Sequence, residues 1–371
     1  MSVSFLDPIN RAARKVLRVA RRIGRTGGPL AGFTAVAWVL LAIPDPIAGP
    51  GVDGPVALMP SPANVTQTTQ PPSKPVCPLS GVPAPGGVIP NHPAVAVKVE
   101  NSPEGRPQYG LNATDLVYEE PVEGGITRFI AVFQCHPEAR IEPVRSSRIV
   151  DSLILPQLGR PVLGFAGGIS QSVHAVAASG ARTVNYITDP GPYREDPARA
   201  VPHQVETSTA ALLAAAGHPK GAPQPIFTYS GKPPGGTAAR AIHLDFSYAA
   251  DVWWRWNAAG GRYLRFYGNT PARLGGGGQI DAANVVVERV KVTSSPYVED
   301  ITGAHQNYVG VVGSGPAEVA RDGIVIRGRW VHPSPAAPTR LLDAAGKVIP
   351  LAPGPTWIEL LPTTSPASPA P

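Results

Sequence analysis

Cysteine occurs only twice in the 371 residues, at Cys77 and Cys135. Two thiols cannot build a disulfide-dense scaffold or a four-cysteine zinc centre. The eight histidines show no H-x-H or H-E-x-x-H spacing, and none stands at ligand spacing from either cysteine. No metal and no cofactor is therefore expected. Charge is also sparse, at 16% Asp, Glu, Lys and Arg, and the net charge of +6 is unevenly placed. Seven of the 32 basic residues (Arg11, Arg14, Lys15, Arg18, Arg21, Arg22, Arg25) fall in the first 25 positions against Asp7 alone of the 26 acids, leaving 25 of each sign. A balanced body lacks the basic footprint that a phosphate backbone demands, so nucleic acid is not an expected partner. Long apolar runs are missing too. The densest, residues 30–43, is fourteen long, as compatible with a signal-peptide core as with a spanning helix.

The basic residues of segment 1–25 repeat at helical spacing, which predicts a basic amphipathic helix suited to an anionic membrane surface on the cytoplasmic side. The uncharged stretch 26–44 follows as a membrane anchor or signal segment, with the remainder outside the membrane. A single-pass protein of the cell membrane is expected, or a secreted one if the segment is cleaved. Residues 45–76, rich in Pro, Gly, Ser, Thr and Gln, read as a disordered linker, and 363–371 as a disordered tail. Both cysteines lie in the exported part. One disulfide is the reading an oxidising compartment favours, with two free thiols as the alternative.

The folded part is expected to be α+β, in two successive domains. In 77–222, "AVAVKVE" (94–100), "DLVYEE" (115–120) and "RFIAVFQC" (128–135) read as strands, and 161–187 as a strand–helix–strand unit with Ser170 as N-cap and Gly180 closing the helix. In 223–362, short strands such as "AIHLDFS" (241–247), "RYLRFY" (262–267), "NVVVERVKVT" (284–293) and "TWIELLP" (356–362) predict a mainly antiparallel β domain. The serine of "GGISQS" echoes a nucleophile elbow only in part, since the pattern is G-x-S-x-S. In "DVWWRWN", strand alternation sends Trp254 and Trp256 to one face and Trp253 to the other, so at least one is core and a sugar platform is the lesser reading.

Charged groups concentrate in the first domain. "YEEPVEGGITRF" (118–129) packs three glutamates and an arginine around a glycine pair, and further charges sit beside Gly or Pro in "NSPEGRPQYGL", "EPVRSSRIVD" and "GPYREDPARAVPHQ". The resulting set is Arg106, Gln108, Asp115, Glu119, Glu123, Arg128, Arg145, Arg148, Asp151, Arg194 and His203. Arginine suits bidentate capture of carboxylate or phosphate. The plainer reading is that these groups pair and fix loop geometry.

The phrases "RPQYGLNATDLVYEEPVEGGITRFIAVF", "EPVRSSRIVDS", "VPHQ" and "VGSGPAEVARDGIVIRGRW" resemble the YerB-like family of exported bacterial lipoproteins over roughly residues 77–362. The resemblance implies two domains of uncharacterised function in a mixed α+β architecture, and no established reaction. The family motifs fall on Arg106, Pro107, Gln108, Gly110, Leu111, Asp115 and Glu119, on Val122 through Arg128, on Glu142 through Arg148 and on Val201 through Gln204. Glu142 replaces the usual glycine and Gln204 the usual asparagine. No lipid-accepting cysteine follows the apolar segment, so a protein anchor is expected in place of a lipid. Three functional classes follow. One is a binding module for a cell-wall glycan, an anionic lipid-linked ligand or an envelope protein, through Arg106, Gln108, Arg128, Arg145, Arg148 and Asp151. Another is a hydrolase or transferase using Glu119, Glu123 or His203. The last is a structural assembly protein with an internal ion-pair network.

Overall fold

The computed structural model describes residues 74–299 and 302–370. Segment 1–25, the apolar stretch 26–44 and nearly all of the linker lie outside the described residues. Among those described, no helix is long and apolar enough to cross a membrane.

Strands dominate. Ten of them form one path through an eleven-stranded sheet: β1 (Val95–Glu100), β2 (Leu116–Pro121), β3 (Thr127–Phe133), β4 (Val162–Phe165), β5 (Arg182–Asn185), β6 (Asn284–Val290), β7 (Gly313–Arg321), β8 (Ile324–His332), β9 (Arg340–Asp343) and β10 (Thr356–Pro362). Their order is β9-β8-β7-β6-β10-β2-β3-β1-β4-β5. The expected strand–helix–strand unit is present: β4 and β5 are parallel and joined by a helix, Ser170–Ala178. Ser170 does not cap it. Ile169 holds the N-cap position, Ser170 is the first helical residue, and its hydroxyl donates to Gln171.

The two halves expected as successive domains are joined through one sheet. β10 lies between β2 and β6 and runs parallel to both, Leu116 opposite Thr356 and Val286 opposite Ile358. Strands from both halves thus share one hydrogen-bonded sheet, and the fold is β-dominated. A second sheet, built from Ala241–Ser247, Ala250–Asn257, Arg262–Tyr267 and short partners, covers one face of the first. Ala367–Ala370 pairs with Ala241–Ser247, so the tail expected to be disordered contributes a strand. The long expected strand 284–293 breaks at Lys291, after which Val292–Val298 turns away to pair with His305–Val309.

Alternation along the central strands feeds two cores. Val97, Val117, Phe129 and Trp357 pack towards the second sheet, whereas Ala96, Tyr118, Ile130 and Ile358 pack under the helices. Trp254 is fully buried in the first core, Trp256 packs on Tyr263, and Trp253 stacks on His243 at 4.2 Å between ring centres. A disulfide joins Cys77 to Cys135 and ties the first described residues to the chain beyond β3.

Among the described residues one buried carboxylate has no counterion. Glu288 on β6 is 4% exposed, and burial pushes its pKa up to about 8. Because the folded value lies above the unfolded one, its contribution favours folding at low pH and is lost as pH rises from about 4.5 towards 8. Glu288→Gln should therefore raise stability at pH 8.5 by on the order of 3 kcal/mol and leave it nearly unchanged at pH 4.5. Melting curves at both pH values check this, and an equal effect at both would contradict it.

Candidate functional site

β1, β2, β4, β6 and β10 run in one direction, and Glu123, Arg128, Arg145, Arg148 and Asp151 gather at their carboxyl ends. The segment carrying Arg145 and Arg148 is placed by backbone bonds. Val144 bridges Val99, the Arg145 N–H donates to the Lys98 carbonyl at 2.9 Å, and the Ser147 N–H donates to Gly167 at 3.0 Å. Each of the three motif prolines, Pro107, Pro143 and Pro202, follows a cis peptide bond.

Three charge networks involve these strands, apart from a further group in which Arg140 and Arg199 pair with Glu142, Asp196 and Glu206. In the first, Lys98 is fully buried and reaches Glu120 at 2.5 Å and Asp151 at 2.7 Å. Burial and the neighbouring Asp151 push Glu120 up to about 8, against the pull of Lys98. Asp151 also accepts the Arg148 N–H, so it orders the start of its helix and faces no open space.

The second network surrounds Glu123. Arg148 grips this carboxylate with two nitrogens, Nε at 3.0 Å from Oε2 and NH2 on Oε1, and also reaches Glu299 at 2.9 Å. Arg128 lies 4.0 Å from Glu123 and donates to the Ser146 carbonyl at 3.3 Å. Burial opposes ionisation of Glu123, but Arg148 and Arg128 outweigh it and hold its pKa below the usual carboxylate range. Arg128 itself is lowered to about 10, by burial and then by Arg148. In an adjoining group Glu100 accepts from His203 Nδ1 at 2.7 Å and faces Arg145 at 3.3 Å.

The third network lies on the opposite face, between the two sheets. Arg265 meets Glu119 at 2.7 Å and Glu359 at 3.4 Å, all three fully buried. Trp254 donates to Glu359 at 2.8 Å, while Thr127 and Asn101 donate to Glu119. Glu359 is held well above the usual carboxylate range by burial and by Glu119.

The expected residues thus separate. Glu123, Arg128 and Arg148 share the second network, Arg145 and His203 adjoin it, and Asp151 belongs to the first, linked to Arg148 through its backbone N–H. Glu119 is sealed on the other face. Gln108 is buried and donates to Glu100 O and Asn101 Oδ1, and Asp115 accepts from Ser80 and the Gln134 and Cys135 N–H groups beside the disulfide. Arg194 is exposed. Lys98, Glu120, Arg265 and Glu359 were not foreseen. The lysine set among the four apolar residues before it in "AVAVKVE" was the one available signal, because a strand buried on both faces can hold a cation only with a partner.

Beside the second network opens a cleft of about 380 Å³, walled by Pro121 to Ile126, by Val292, His305 and Asn307 of the 292–309 hairpin, and by Phe246, Ser247, Thr364 and Ser365. The glycine pair of "VEGG" makes that wall. Gly124 and Gly125 sit at φ +71° and +74°, a region that favours glycine, and Ser247 donates to the Gly125 carbonyl. Glu123 contributes the sole carboxylate of the lining.

The family profile described as "Protein of unknown function (DUF3048) N-terminal domain" matches residues 79–221, and that of the C-terminal domain matches 242–358. The chain belongs to the DUF3048 family. Its fold is similar to the crystal structure of YerB protein from Bacillus subtilis, with a TM-score of 0.68 and 22% identity, over 80% of this chain and all of that one. In sequence it is 46% identical over 71 residues to the Bacillus subtilis (strain 168) protein named "Putative lipoprotein YerB". That stretch is 19% of this chain and spans only about a fifth (21%) of the relative's length. The DUF3048 match covers both of the halves that share the central sheet.

Proposed function

We propose that this DUF3048 chain is a membrane-tethered, extracytoplasmic binding module of the cell envelope, holding a polyhydroxylated ligand of the cell-wall glycan class in the cleft beside Glu123. The lining of that cleft carries the reading. It combines hydroxyl and amide groups (Ser247, Thr364, Ser365, Asn307), a histidine, two backbone-exposing glycines and the Phe246 ring around one carboxylate fixed as an anion. Such a set accepts and donates hydrogen bonds to sugar hydroxyls and gives a sugar face an aromatic neighbour. Binding is favoured over glycoside cleavage because that chemistry uses two carboxyl groups, one of them protonated. Glu123 is alone in the cleft and both its oxygens are engaged by Arg148. The Cys77–Cys135 bond supports an oxidising, extracytoplasmic location, and the name of the Bacillus relative points the same way.

A hydrolase or transferase is a second reading, resting on His203. Its Nδ1 lies 2.7 Å from Glu100, as in a carboxylate-oriented base. Among the described residues no hydroxyl or thiol hydrogen-bonds to this imidazole, which leaves the reading without a nucleophile.

Titration of soluble peptidoglycan fragments into the full-length protein should give saturable binding. Thr364→Trp, which fills the exposed mouth of the cleft without breaking an ion pair, should weaken it roughly tenfold or more at unchanged Tm. Unchanged affinity in that variant would remove the cleft from the site. No binding by the parent protein would move the reading to a protein partner.

A further inference from the structure

Most motif arginines are neutralised inside the fold, but Arg106 is not. Its guanidinium covers the Tyr267 ring at 3.4 Å from the centroid and donates to the Asn101 carbonyl at 2.8 Å. Among the described residues no carboxylate comes within ion-pair distance of it; the exposed Glu104 and the buried Glu119 act on it only from farther away. Arg273, exposed, likewise has no ion pair. The two arginines line one cavity of about 440 Å³ whose other walls are Pro107, Tyr267, Thr270 and Pro271. A half-buried guanidinium beside apolar walls has lost solvation without gaining a counterion at ion-pair distance, and burial lowers its pKa against the pull of Tyr267 and the more distant Glu119. What would complete this arrangement is a negative charge attached to something apolar.

We propose that this cavity is a second binding site, taking an organic anion with an apolar body: a phosphate or carboxylate headgroup held by Arg106 and Arg273, and a hydrocarbon or ring lying on Pro107, Tyr267 and Pro271. Two planar forks can meet the oxygens of one headgroup. The proline rings and the phenol give the body a rigid surface at little entropic cost. A free inorganic ion would leave that surface unused.

The test uses the full-length protein in phosphatidylcholine nanodiscs, titrated calorimetrically with hexyl phosphate, inorganic phosphate and hexanol. Hexyl phosphate should bind, and the other two should bind at least about tenfold more weakly. Arg273→Gln, a change at an exposed residue, should weaken hexyl phosphate about fivefold. Arg106→Gln should weaken it further, and if that variant does not fold, Arg273→Gln decides alone. The proposal is overturned if no saturable binding occurs, if inorganic phosphate binds as well as hexyl phosphate, or if Arg273→Gln leaves the affinity unchanged. Once binding is established, weaker apparent affinity in nanodiscs containing phosphatidic acid identifies a membrane lipid as the source of the headgroup. Unchanged affinity there identifies a soluble ligand.

Discussion

Arg265→Leu should cost about 3–5 kcal/mol of folding stability, the range expected when one partner of a buried ion pair is removed. Arg265 is fully buried between the two sheets, bonded to Glu119 and Glu359. The rings of Phe129, Trp254, Tyr267 and Trp357 surround it with centroids 4.9–5.4 Å away. Leucine would fill part of the volume but leave the Glu119 carboxylate without a cation in a low-dielectric interior. The desolvation that Arg265 now offsets would then fall on folding itself. Replacing all three charged groups, as in Arg265→Met with Glu119→Leu and Glu359→Leu, should recover much of the loss, since no unpaired charge remains. Denaturant midpoints of the single and triple variants measure both effects. A loss below about 1 kcal/mol for Arg265→Leu would mean that the second sheet is held by apolar contact alone.

Loss of the disulfide should have a comparable effect. Cys77 and Cys135 are 58 positions apart, and closing a loop of that length restricts the unfolded chain by about 4 kcal/mol. The apolar cluster around them is small, with Ala84 the other buried member, so packing offers little compensation. Cys77→Ser combined with Cys135→Ser should lower Tm by roughly ten degrees. Dithiothreitol should shift the parent protein to nearly the same value and leave the double variant unmoved. Equal melting of parent and variant without reductant would show that the crosslink is dispensable.

These two features differ in how far they were legible. The disulfide followed from two cysteines in a chain read as exported. Arg265 was hidden in "RYLRFY", where strand alternation predicts a strand and nothing more, because its partners Glu119 and Glu359 come from strands far away in the sequence. The same holds for the candidate cleft. "VEGG" announced a tight turn beside a carboxylate, and the two glycines do take left-handed backbone conformations. Asn307, Ser247 and Thr364 gave no sign of meeting it. The arginines were legible as a group, yet sequence could not tell Arg148, engaged with Glu123 and Glu299, from Arg106, which faces a cavity unpaired.

By itself the sequence determined where most strands lie, the strand–helix–strand unit, the family and the residue types of the polar site. These depend on local periodicity, turn chemistry and contiguous motifs, which act over a few residues. Tertiary structure alone decided that β10 enters between β2 and β6, and so that one sheet joins the two halves. It also decided which charges are spent within the fold and which face a cleft or cavity. Strand partners and ion pairs are chosen by the burial of a whole sheet face against its neighbours, and that choice has no local signature.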